Sequence, residues 1–82
     1  MSEIIRTSEQ LGKILSGHRK SQGITQKEAA KTVGILPKTI SGLELHTGNK
    51  SIESLLKLLS ALNLELVVRP KSNVNEDSRL EW

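Results

Sequence analysis

Cysteine is missing from these 82 residues, so neither a disulfide framework nor a thiolate-based zinc site can be built. Two isolated histidines, His18 and His46, do not make a metal site, and none is expected. Long apolar runs are also missing: no stretch approaches the ~20 residues that cross a bilayer, and MSEIIRTSEQ lacks the apolar core of a signal peptide. The expectation is a soluble, intracellular chain without membrane contact or cofactor. Its only aromatic residue is Trp82, at the very end, where it is either inert or an anchor for a partner. The length allows one small domain with one modest core and leaves no room for an enzyme cavity backed by a second domain. Glu28, Glu44, His18 and His46 are the plausible acid-base groups, yet they form no nucleophile-base-orienter set, and no phosphate loop accompanies them. Catalysis is not expected.

Acidic residues are scarce in the first half of the chain. Between positions 13 and 38, Lys13, Arg19, Lys20, Lys27, Lys31 and Lys38 face the single acid Glu28, within a net charge of +3. A basic face alone is weak evidence, but combined with the right fold it is the electrostatic footprint of a duplex binder.

That fold is suggested by Thr25 to Leu45, TQKEAAKTVGILPKTISGLEL. Thr25 and Glu28 are spaced as a capping box, which starts a helix near Gln26. Ala29, Ala30 and Val33 form its inward face, with two alanines where another helix can cross closely. Gly34 supplies the left-handed residue that ends it. Ile35 follows as an apolar plug, Pro37 suits the first turn of a new helix, and Ile40, Leu43 and Glu44 continue that helix. This is a helix-turn-helix pattern.

Thr7 with Gln10 forms another capping-box candidate ahead of the stripe Leu11, Ile14 and Leu15, so helix 1 is expected over residues 8–21, closed by Gly23. His18 on that face reads as a packed or half-exposed helix residue. After a polar loop at 46–50, Ser51 caps a helix expected over 52–62. Its apolar face, Ile52, Leu55, Leu56, Leu58, Leu59 and Leu62, is wide enough for one generous core or for a core plus a second copy of the chain. Leu64, Leu66 and Val68 then alternate with Glu65, Val67 and Arg69 as a short strand that Pro70 stops. A lone strand needs a partner. The simplest is the same strand of another subunit about a two-fold axis; pairing with residues 4–6 is the intrachain alternative. Residues 1–69 thus read as a DNA-binding and dimerisation domain. Residues 70–82, polar and without periodicity, read as a flexible tail.

In a helix-turn-helix the second helix probes base edges in the major groove with its first residues. Those positions are Leu36, Pro37, Lys38, Ser41 and Gly42. Lys38 can donate to guanine, Ser41 can bond several base edges, and Leu36 or Pro37 can pack on a thymine methyl. Gly42 reads nothing and permits close approach. The set is poor in Gln, Asn and Arg, so part of the specificity is expected from DNA shape. Thr25, Gln26, Thr39, Thr47, Asn49 and Lys50 are placed as backbone contacts. The competing class is a protein adaptor that uses helix 4 and the tail, with a vestigial helix-turn-helix.

From Arg19 to Glu44, RKSQGITQKEAAKTVGILPKTISGLE resembles the lambda-repressor and Cro-like helix-turn-helix family. The resemblance implies a mainly α domain of four to five helices and an internal ion pair between Arg19 and Glu44. Ala29 departs from the larger apolar residue common in that family, and Pro37 with Gly42 replaces polar reading residues. The helices together with SLLKLLSALNLEL, the strand LELVVR and the terminal Leu-Glu-Trp narrow the resemblance to the HipB antitoxins of HipA/HipB toxin-antitoxin modules. That likeness implies a bacterial cytoplasmic homodimer whose strands pair into a small sheet. It would repress its own operon at palindromic operators and bind a HipA-type Ser/Thr kinase toxin. The tail would be a degradation point for proteases and Trp82 a toxin contact. A phage-type or other regulator of the same family, without a toxin partner, is the alternative.

Overall fold

The computed structural model describes residues 3–46 and 50–71. Four helices, α1 (Ser8–Ser21), α2 (Gln26–Val33), α3 (Pro37–Glu44) and α4 (Ile52–Ala61), are found among them. Each start follows from a local chemical cause. The Gln10 amide donates to Thr7 Oγ1 and the Gln10 side chain accepts the Thr7 N–H, each at 3.1 Å. At α2 the Glu28 N–H donates to Thr25 Oγ1 at 3.0 Å, and the Thr25 N–H donates to Glu28 Oε1 at 2.9 Å. Both are complete capping boxes. Pro37 opens α3, where a missing N–H costs nothing, and Ser51 Oγ accepts the Ser54 N–H at 3.0 Å to open α4.

The ends are equally local. Gly34, at φ 71° and ψ 36°, is the left-handed stop between α2 and the turn. Asn63 does the same work after α4: at φ 59° it lets the Leu64 N–H reach back to the Leu59 carbonyl at 2.8 Å. Leu62 is therefore the cap of α4 and not part of the helix.

Leu15, Ala29, Ala30, Ile40, Leu58, Leu59 and Leu62 form the core, with Leu11, Ile24, Ile35, Leu43, Leu55 and Leu64 packed against it. α2 packs on α3 and α4, and α1 packs on α3. The two alanines allow α2 its close crossing, while Val33 is only half-buried. The α1–α3 crossing depends on Gly12. A side chain there would collide with the backbone carbonyl of Glu44 and with the Leu43 oxygen. The Gln22 side-chain amide donates to the Leu62 carbonyl at 2.8 Å, which fastens the end of α1 to the end of α4.

α4 does not bury its whole apolar face. Leu58, Leu59 and Leu62 are inside, whereas Ile52 and Leu56 stay exposed beside Val33. The segment 64–71 forms no strand ladder among the described residues, so pairing with residues 4–6 is not made. Leu64 packs on the core, but Leu66 and Val68 do not face inward in a single chain; Val68 is 92% exposed. A strand's alternation resolves into an inside and an outside only when a second strand and a covering face exist, and the described residues of one copy supply neither.

Candidate nucleic-acid interface

α3 is held from behind by a buried ionic contact and by the core. Glu44 lies at the meeting point of α1, α2 and α3. Its carboxylate accepts from Arg19 Nε at 2.6 Å and from Arg19 Nη2 at 3.2 Å, a two-pronged pair in which Arg19 is 8% and Glu44 7% exposed. The Gln26 amide donates to the same carboxylate at 3.0 Å, and Arg19 Nη1 donates to the Ile24 carbonyl at 2.8 Å. Ile40 and Leu43 anchor the inner side of the helix in the core. The orientation of α3 is thus fixed by buried apolar and ionic contacts together.

The opposite side of the helix faces solvent. Leu36 is 59% exposed, Pro37 and Lys38 are exposed, and Ser41 and Thr39 are half-exposed. The four expected base-reading residues therefore share one accessible surface at the start of α3. Leu45, also exposed, extends that side past the helix end, by a hydrogen bond from its N–H to the Ser41 carbonyl at 2.9 Å. Sequence reasoning missed Leu45, since an apolar residue at helical spacing looks like core.

The expected backbone contacts fare unevenly. The Thr25 N–H and hydroxyl are both engaged with Glu28, and the Gln26 amide is engaged with Glu44. Those groups hold the motif together from within. Hydrogen bonding from Thr25 to the carboxylate, chiefly from its backbone N–H and then from its side chain, holds the Glu28 carboxyl below its ordinary value of 4.5. Lys50 is exposed, with its stem lying across Gly42. Gly42 is buried, and the close approach expected at it is made by the Lys50 side chain. Thr47, Asn49 and Trp82 lie outside the described residues, as does all of the tail beyond Lys71.

The basic stretch is also redistributed. Arg19 is internal and neutralised by Glu44, and Lys13 pairs with Glu9 at 3.4 Å on the surface. Lys20, Lys27, Lys31 and Lys38 remain exposed on α1, α2 and α3. His18 is half-buried with Nε2 3.3 Å from Glu3 Oε1, and His46, at φ 47°, serves as the turn residue after α3. Among the described residues no helix is long and apolar enough to cross a membrane.

The helix-turn-helix family matches residues 15–68. Antitoxin HipB of Escherichia coli O6:H1 (strain CFT073) is 33% identical over 82 residues, covering 95% of this chain and 87% of that one. Among solved structures, a HipA-HipB-O2-O3 complex contains a chain superposing with a TM-score of 0.80 at 30% identity, covering 87% of this chain and 100% of that one. The restriction-modification controller protein C.AhdI from Aeromonas hydrophila superposes with a TM-score of 0.65 at 29% identity, over 71% of this chain and 88% of its own. The buried Arg19–Glu44 clasp, the capped turn from α2 to α3 and these matches agree: the chain belongs to the helix-turn-helix family and, within it, to the HipB-like antitoxins, which are not enzymes.

Proposed function

We propose that the chain binds duplex operator DNA as a homodimer, represses its own toxin-antitoxin operon, and binds and neutralises a HipA-type Ser/Thr kinase in the bacterial cytoplasm. The observation that carries the DNA half is the solvent-facing start of α3, where Leu36, Pro37, Lys38 and Ser41 project from a helix clamped rigidly from behind. A helix presented this way fits the major groove with its first residues on base edges. Lys38 and Ser41 would supply the polar contacts, Leu36 and Pro37 the apolar ones, and Thr25, Gln26, Thr39 and Lys50 the phosphate contacts, with Thr47 and Asn49 assigned to phosphates from the sequence alone. The similarity to a chain of the HipA-HipB-O2-O3 complex supports both partners.

Dimerisation follows from what one copy leaves uncovered. Leu66, Val67 and Val68 are exposed and, among the described residues, without a ladder; residues 64–69 would become a strand on pairing with their two-fold mate. The domain would end near residue 69, and the tail with Trp82 would carry the toxin contact. A regulator without a toxin is the second reading, and the likeness to the C.AhdI controller protein favours it.

Two measurements decide between them. A gel shift on DNA from upstream of the chain's own coding sequence should show a complex that weakens with salt. Copurification should then recover a kinase-like product of the adjoining reading frame with the full chain, and recover less with a chain lacking residues 71–82. A salt-dependent shift without any adjoining kinase partner would favour the regulator; no shift on any duplex would remove both.

A further inference from the structure

Gly42 stands inside α3, where almost any other residue would make a better helix. The space its side chain would occupy is taken: a Cβ built there would run into Cε, Nζ and Cδ of Lys50. Lys50, just ahead of α4, lays its stem over the α3 backbone and carries its ammonium to the flank of that helix. Gly42, where it arrives, follows Ser41 in the chain and lies one helical turn beyond Lys38.

We propose that Gly42 is a positioning residue, the seat that holds the Lys50 ammonium alongside α3 as a contact for a phosphodiester oxygen; this rests on the DNA-binding reading above. A lysine is a mobile point charge on a four-carbon stem, and ordering it at a phosphate costs rotamer entropy. A stem already laid in a groove of the protein has lost part of that freedom before DNA arrives, which favours binding. The glycine therefore serves Lys50 and not the DNA: its backbone is covered by the lysine stem.

The test separates binding from folding. In Gly42→Ala the new methyl meets only the far end of a flexible side chain, so Lys50 swings away and the fold stays. Its melting temperature should be unchanged or higher, because alanine is the better helix former. Binding is followed from low to high salt on two duplexes, one from immediately upstream of the coding sequence and a scrambled one of equal length. Gly42→Ala and Lys50→Met should each make the plot of log affinity against log salt shallower by about 0.9, the loss of one phosphate contact. The double variant should be no shallower than Lys50→Met alone. A wild-type slope for Gly42→Ala overturns the seat. So does a further flattening by Gly42→Ala in the Lys50→Met background, which would mean that DNA approaches the glycine itself. Wild-type protein that binds neither duplex overturns the DNA-binding reading, and the seat's role falls with it. Independently of DNA, the free protein should show a nuclear Overhauser contact between the Lys50 ε-methylene and the Gly42 α-protons, and its absence overturns the seat directly.

Discussion

Glu44→Ala removes the acceptor for two guanidinium bonds, those from Arg19 Nε and Nη2, and leaves Arg19 with only the Ile24 carbonyl. With 8% of Arg19 exposed, water cannot replace the carboxylate. Stripping one partner from a buried pair costs about 3–5 kcal/mol, because the surviving charge stays buried. The remaining Ile24 bond places this case near the lower end. A chain of this size has a total stability of roughly 4–12 kcal/mol, so the variant is close to unfolding, with a midpoint lowered by roughly 12 °C or more. Urea denaturation followed by circular dichroism reads the loss directly. The control is Arg19→Met combined with Glu44→Leu, which removes both charges and refills the space; it should recover most of the stability. A single variant losing less than about 1 kcal/mol would refute a clasp that holds α3, since that is the range of an exposed pair. A double variant no better than Glu44→Ala would refute the stranded charge as the cause.

Other consequences follow from the same structure. Gly12→Ala forces α1 away from the Glu44 carbonyl, and because the obstacle is backbone it should cost about 1–3 kcal/mol in the same denaturation assay. Glu28 has a folded pKa below its ordinary 4.5, so its capping contribution is complete above that pH and is lost as pH falls through the lower folded value. Stability measured against pH should therefore decline more steeply below pH 4.5 in the wild type than in Glu28→Gln, which does not titrate; parallel curves would show that the carboxylate is not engaged. Leu66→Pro should break the strand pairing and give monomers by sedimentation with weakened DNA binding, and an intact dimer would place the interface elsewhere.

Much of this molecule is legible locally. Thr7 with Gln10, Thr25 with Glu28, Gly34 and Pro37 are signals read over three or four residues, and each falls where the structure uses it. The Arg19–Glu44 pair was legible only through family resemblance, because nothing in either residue's neighbourhood reveals a partner 25 positions away. Gly12 was not legible for the same reason: its need to be small is set by the Glu44 backbone across the crossing. Thr25 and Gln26 offer donors at a helix start, and the structure shows a second use for them that their local sequence does not reveal: the Thr25 N–H donates to Glu28 and the Gln26 amide to Glu44. The strand is the converse case. Its alternation is plain in Leu64, Leu66 and Val68, yet the segment forms no ladder among the described residues, because a strand needs a mate that its own local pattern cannot name.

The most direct test of the central claim, that the exposed start of α3 reads bases, is a competition experiment at fixed salt. The duplex from upstream of the coding sequence is titrated against copies with single base pairs changed across two half-sites about one helical turn, 34–36 Å, apart or a multiple of it. Wild-type protein should discriminate among them by about 1–3 kcal/mol at individual positions, and Lys38→Ala or Ser41→Ala should erase that discrimination at one position each. Preferences unchanged in both variants would contradict the account, because base reading would then lie on another surface.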